Sequence, residues 1–141
     1  FYWEQVAEIQ KLLEKYVRSS QQIDVEKYLK ICEQLGQEPD PQKMPLDPTE
    51  FPEEVQVAFF ITSLLSDRWE GQTGTYLGKD YTNVQYLFNL YKIDNPTVIL
   101  FFMKMYDAEI THHRMEEGER KRKSAERKSA GGKNYTHNVK G

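Results

Sequence analysis

The segment Pro52–Leu65, PEEVQVAFFITSLL, decides the fold class of this 141-residue chain. Its proline suits the first turn of a helix, and Glu53 and Glu54 lie where the helix dipole favours negative charge. The residues that follow are apolar almost all round, which is typical of a helix enclosed by other helices. We therefore predict an all-α protein. The residues expected at the centre of its core are Val55, Phe59, Phe60, Leu64 and Leu65.

A first helix is predicted over Tyr2–Arg18, because apolar residues recur there at three- and four-residue steps and so share one face. They are Val6, Ile9, Leu13 and Tyr16, with Trp3, Leu12 and Val17 widening the stripe.

A second helix is expected to begin with Asp24 as its cap and Ile23 in a hydrophobic staple. It should stop at Gly36, because glycine adopts the left-handed stop conformation without strain. The residues expected on its buried face are Val25, Tyr28, Leu29, Cys32 and Leu35. Five of the six prolines then lie between Pro39 and Pro52, and they predict an extended connection.

Two more helices are predicted after the central segment, beyond a glycine-punctuated loop, Ser66–Asp80, in which we expect no strands. Asp80 should cap the fourth helix, which buries Val84, Leu87, Phe88 and Tyr91. Asn95 should cap the fifth helix and Pro96 should open it. A helix from Pro96 to Ala130 would be about 50 Å long, so its polar outer half would project from the body. The prediction is a compact bundle of about five helices with a long polar C-terminal helix extension.

Charge is distributed unevenly along the chain, whose net charge is −3 at pH 7. From Glu119 to Gly141, eight lysines and arginines stand against two glutamates, which gives this segment +6 and leaves −9 for residues 1–118. We therefore divide the chain into an acidic helical domain, 1–118, and a basic tail, 119–141. Such an asymmetry is typical of an interaction arm.

The membrane is not expected as a partner, because a spanning helix requires about 20 apolar residues and the longest apolar runs, Val57–Ile61 and Val98–Met103, are much shorter. The single cysteine, Cys32, cannot form an internal disulfide and favours a reducing compartment. We expect a cytoplasmic location.

Two short motifs suggest enzyme chemistry and are weighed against simpler interpretations. Glu109–His112 has the Glu-x-x-His spacing of di-metal bundles, with His113 and Glu116 nearby. The remaining histidine lies in the tail, so we expect no catalytic residue, metal or other cofactor; a carboxylate–histidine metal enzyme is the most distant alternative. Gly74–Asp80, GTYLGKD, is one residue too short for a phosphate-binding loop and should be a surface turn.

The residues expected to contact a partner fall into two groups. The cations of the tail are Arg120, Lys121, Arg122, Lys123, Arg127 and Lys128, and the loop aromatics are Trp69, Tyr76 and Tyr81. We expect a non-catalytic interaction or assembly protein that binds another protein, which includes a second copy of itself. The alternative is a transcriptional regulator whose basic tail binds nucleic acid, because lysine and arginine neutralise phosphate backbones. A third interpretation of the tail is a solvated helix extension that binds nothing.

Three stretches, which together hold 53 of the 141 residues, resemble small accessory proteins of marine tailed bacteriophages. They are DPTEFPEEVQVAFFITSLLSDRWEG at 47–71, TYLGKDY at 75–81 and KRKSAERKSAGGKNYTHNVKG at 121–141. The resemblance implies a helical, non-enzymatic protein that serves particle assembly or viral transcription, in the host cytoplasm or the virion. It carries no functional residue across to this chain.

Overall fold

The computed structural model describes residues 3–20 and 25–140, with side chains described at 3–19 and 25–130. The helices of these ranges are α1 (Trp3–Ser20), α2 (Val25–Leu35), α3 (Glu53–Ser63), α4 (Val84–Leu90) and α5 (Pro96–Lys140), with a 3₁₀ turn at Pro48–Glu50. The predicted all-α fold with a long polar C-terminal helix is confirmed. The loop Ser66–Asp80, expected without strands, contains an antiparallel hairpin of β1 (Asp67–Trp69) and β2 (Tyr76–Lys79).

The core forms where α3 and α1 pack against the first half of α5. Its largest fully buried side chains are Leu13, Val55, Ile61, Thr62, Phe102 and Met103. Thr62 is polar, but its hydroxyl donates a hydrogen bond to the carbonyl of Ala58 at 2.6 Å. The buried hydroxyl is therefore satisfied within its own helix.

The predicted centre of the core is partly wrong. Val55 and Leu65 are buried and Phe59 is half-buried, but Phe60 and Leu64 are exposed. Because α3 ends at Ser63, Leu64 lies beyond its last turn. Phe60 lies on the outer side of the helix, where its ring packs edge-on against Tyr91 at 5.0 Å. Ala58 and Ile61 occupy the buried face instead.

The buried stripes of the first two helices are narrower than predicted. In α1, Ile9, Leu13 and Val17 are buried, whereas Trp3 is 85% exposed and Leu12 is also exposed. In α2, of the five expected residues only Cys32 is buried; Val25 and Tyr28 are half-buried, and Leu29 and Leu35 are exposed. The proline-rich connection contacts α2, since the Tyr28 hydroxyl accepts a hydrogen bond from the Asp40 N–H at 3.1 Å.

The ends of the helices follow the sequence signals in two cases. Gly36 stops α2 with a φ of 67°, and the Gln37 N–H donates to the Cys32 carbonyl at 2.9 Å, as predicted for a left-handed stop. Pro96 opens α5 as predicted. The proposed cap at Asp24 and staple residue Ile23 lie outside the described residues.

The predicted cap of α4 is wrong, because the helix begins at Val84, after Asn83. The Asp80 carboxylate instead accepts hydrogen bonds from the N–H and hydroxyl of Thr82 at 2.9 and 2.6 Å. Asp80 therefore holds the turn that precedes the helix. On α4 itself Phe88 is buried, Val84 and Leu87 are half-buried, and Tyr91 is exposed.

The long helix α5 passes from the core into solvent. Ile110 is its last buried residue among those with described side chains, and every residue from 118 to 130 is exposed. The helix continues through Gly118 without a break, so the division into an acidic domain and a basic tail remains a prediction about charge alone.

The hairpin backbone approaches α5 closely at Gly78. The strands pair Arg68 with Gly78 and Trp69 with Tyr76, which leaves Leu77 as an extra residue on β2. Gly78 has a φ of 96°, and a Cβ at this position would lie 3.1 Å from Oδ2 of Asp107. The bulge and the glycine together allow the hairpin to lie against the helix.

The substitution Gly78→Ala should lower the free energy of unfolding by about 1–3 kcal/mol, because alanine is strained at this φ and its Cβ would crowd the carboxylate. Gly71→Ala is the matched control, since Gly71 has no left-handed φ and no atom lies within 4 Å of its Cβ position. Urea unfolding of both variants measures the difference. Equal stability of the two would contradict the close approach.

Candidate partner-binding groove

The hairpin is fastened to α5 by the carboxylate of Asp107, which is buried. Its Oδ2 atom accepts hydrogen bonds from the Tyr81 hydroxyl at 2.9 Å and from the Lys79 N–H at 3.2 Å. Its Oδ1 atom is buried without a hydrogen-bond partner in the described part of the chain. Burial, followed by the charge and hydrogen bond of Asp107, raises the pKa of Tyr81. Tyr81 is therefore the neutral donor of this contact.

A second carboxylate holds the two strands together. Oδ1 of Asp67 accepts hydrogen bonds from Nζ of Lys79 at 3.0 Å and from the hydroxyl of Tyr76 at 2.9 Å. Burial by itself would raise the pKa of Asp67, but the hydrogen bonds from Lys79 and Tyr76 outweigh it and lower the pKa. Burial and the contact with Asp67 raise the pKa of Tyr76. At neutral pH, Asp67 is therefore a charged carboxylate that accepts a hydrogen bond from the neutral phenol of Tyr76.

The Arg114 side chain joins α5 to the aromatic residues of the hairpin. Its guanidinium carbon lies 4.1 Å from the ring centre of Tyr76 and 5.3 Å from that of Trp69. The two rings pack edge-on with centres 4.9 Å apart. No carboxylate of the described residues forms an ion pair with Arg114. Stacking therefore orients the guanidinium, and its charge also helps to lower the pKa of Asp67.

A groove of about 940 Å³ opens between the tip of the hairpin and α5. Trp69, Thr73 and Tyr76 line the hairpin side, and Arg114 and Lys121 are among the residues on the helix side. Trp69 is 54% exposed, so a large aromatic surface remains free at the edge of the groove.

The hairpin tip that borders the groove is fixed by a carboxylate of its own. Oε2 of Glu70 accepts hydrogen bonds from the N–H groups of Gln72 and Thr73 at 3.0 and 2.7 Å, and from the Thr73 hydroxyl at 2.7 Å. These bonds lower the pKa of Glu70. The tip is therefore preorganised.

The helix wall continues beyond the groove as a stripe that recurs with a seven-residue period. Residues seven apart return to nearly the same side of a helix after two turns. We define the groove stripe as Arg114, Gly118, Lys121, Ala125 and Lys128, which follow one another at steps of four and three residues. It alternates cations with small residues.

The nine residues predicted to contact a partner are distributed unequally around this groove. Trp69, Tyr76, Lys121 and Arg122 line it, and Lys128 extends its stripe. Of these, Tyr76 is otherwise buried and stacks with Arg114. Tyr81 does not line the groove and is half-buried, with its hydroxyl on Asp107. The remaining cations, Arg120, Lys123 and Arg127, lie on other faces of α5. Arg120 approaches Glu117 at 3.8 Å.

Two important residues, Arg114 and Asp107, were not among the predicted contacts. A signal for Arg114 is visible in the sequence, because cations recur every seven residues at Arg114, Lys121 and Lys128. No sequence signal indicates Asp107, because only the folded hairpin brings Tyr81 and Lys79 to its carboxylate.

The two enzyme-like motifs have structural partners instead. Nε2 of His112 lies 3.0 Å from Oε1 of Glu116, one turn further along α5. Across the described residues, no group of three or more histidine, cysteine, aspartate or glutamate side chains is arranged to hold a metal ion. In the GTYLGKD stretch, Lys79 belongs to β2 and its ammonium contacts Asp67.

No helix in the described ranges has the length and apolarity needed to cross a membrane. No protein-family model, curated protein or solved structure matches this chain.

The substitution Tyr81→Phe removes one of the two donors to Asp107 and should cost about 1–3 kcal/mol of stability, since the buried carboxylate loses a hydrogen bond. Tyr86→Phe is the control. Because Tyr86 is exposed, removal of its hydroxyl should change the free energy of unfolding by less than about 0.5 kcal/mol. Thermal or urea unfolding compares them. If both variants match the parent, Asp107 does not hold the hairpin through Tyr81.

The contribution of Asp67 to stability should depend on pH. Because folding lowers its pKa, the stabilisation is present above the unfolded-state pKa and is lost as the pH falls through the folded-state pKa. The stability difference between the parent and Asp67→Asn should therefore be large near pH 6 and shrink below about pH 4. Trp69 fluorescence in a Trp3→Phe background reports the transition. A difference that is constant from pH 3 to 6 would contradict this assignment.

Proposed function

We propose that this chain is a non-catalytic interaction protein, of the accessory or assembly kind found in tailed phages, and that it binds a protein partner in the groove between the hairpin and α5. The observation that carries the proposal is the Arg114 guanidinium. It is stacked on Tyr76 and Trp69, faces the groove, and has no carboxylate partner among the described side chains.

The composition of the groove supports protein binding. Tryptophan, tyrosine and arginine are the residues that most often dominate the energy of protein interfaces. Here Trp69 is exposed, while Tyr76 is held below it by Asp67. A side chain that is already oriented loses little conformational entropy on binding, so more of the contact energy remains as affinity.

Nucleic-acid binding by a regulator is the second candidate, and the exposure of the cations favours it. Arg120, Lys121, Arg122, Lys123, Arg127 and Lys128 are all exposed, and Arg120 alone has a carboxylate partner among the described residues. Phosphate contacts of this kind are independent of base sequence.

The substitution Trp69→Ala should reduce recovery of the protein partner by about tenfold or more, the loss expected for an interfacial tryptophan at a hot spot. Trp3→Ala is the matched control: Trp3 is also exposed, but it lines a separate apolar groove with Val6, Val98 and Phe101. Affinity isolation from the native host with full-length tagged chains, quantified by mass spectrometry, measures the recovery.

Circular dichroism of both variants controls for folding. The proposal would be overturned if the intact chain enriches no protein over an untagged control. It would also be overturned if recovery depends on Trp3 and not on Trp69.

A further inference from the structure

We propose that the partner segment is an acidic α-helix that lies along the groove stripe, Arg114, Gly118, Lys121, Ala125 and Lys128. This inference rests on the proposed function and adds the chemical class and the secondary structure of the ligand.

The spacing of the cations suits a helical ligand. At 1.5 Å per residue, Arg114, Lys121 and Lys128 succeed one another about 10.5 Å apart along α5. A partner helix presents one face at the same seven-residue interval, so its carboxylates could meet all three cations.

The residues between the cations suit a close approach of two helices. Gly118 and Ala125 have little or no side chain, are exposed, and lie on the same face as the cations. No atom lies within 4 Å of the position that a Cβ would take at Gly118. The stripe therefore has a depression on either side of Lys121, into which a larger side chain of the partner can pack.

Charge complementarity indicates that the partner segment is negatively charged. Within the described residues Arg114, Lys121 and Lys128 have no ion-pair partner. The two glutamates of the exposed helix, Glu119 and Glu126, are also seven apart, but they lie about a third of a turn away from the stripe. The face is therefore left positive, and an acidic ligand neutralises it.

The same spacing is less suited to nucleic acid. Each strand of a duplex presents a phosphate about every 3.4 Å along the axis, far more densely than one cation per 10.5 Å. The net charge of −9 on residues 1–118 also opposes a long polyanion beside the body. A short acidic helix of a protein avoids most of this repulsion.

Fluorescence anisotropy with a labelled peptide of about 21 residues tests the inference. The probe is helical and carries a glutamate at every seventh position, with one leucine between successive glutamates. The control peptide has the same composition, but its glutamates are consecutive. The full-length chain is compared with two double variants of equal charge, Lys121→Gln/Lys128→Gln on the stripe and Lys123→Gln/Arg127→Gln on the opposite face.

At about 0.15 M salt the Debye length of about 8 Å screens the opposite face, so only the stripe variant should weaken binding substantially. Loss of two exposed ion pairs corresponds to about a 3- to 10-fold increase in Kd, against less than about twofold for the control variant. The periodic peptide should bind more tightly than the consecutive one.

The inference fails if the two peptides bind equally, if the two double variants weaken binding equally, or if a 20-nucleotide oligothymidylate binds more tightly than the periodic peptide. In each case a protein recovered through Trp69 would leave the proposed function intact. Failure of the intact chain to recover any protein would overturn the proposed function instead.

Discussion

The packing of α3 against the apolar first half of α5 is the largest contact between described elements, and α1 and the hairpin pack against the same helix α5. Phe102 and Met103 of α5 meet Val55 and Ile61 of α3 in a fully buried interior, and α1 contributes Leu13 to the same contact. Among the side chains described through residue 130, Ile110 is the last buried position of α5, whereas the helix continues to Lys140. The helical surface beyond the body is thus supported at one end by the core.

Polar contacts and a small buried cluster, in which Tyr76 packs with Val17 and Ile110, together attach the hairpin to this framework. A two-stranded hairpin is marginal in water without something to pack on. Here Asp107 anchors it to α5 through Tyr81 and the Lys79 N–H, and Asp67 ties its strands through Lys79 and Tyr76. Stacking of Arg114 on the exposed aromatic edge completes the wall of the groove.

Helix identity was predictable from the sequence, and side-chain burial was predictable only in part. Periodicity, Pro96 and Gly36 located the helices because these signals act within a few residues. The exposure of Phe60 and Leu35 could not be read in the same way, since it depends on which neighbours cover each helix. Of the expected contact residues, Trp69, Tyr76, Lys121 and Arg122 lie on the groove. The role of Asp107 depends on contacts between residues 26 and 28 positions apart.

The seven-residue recurrence on α5 has a geometric consequence. An undistorted helix completes two turns in slightly more than seven residues, so a line of cations repeated every seven positions slips backwards by about 20° each time. From Arg114 to Lys128 the line therefore winds across the cylinder by about 40°. A second helix could follow it only by coiling around α5 in the left-handed sense, and a straight rod would lose contact at one end.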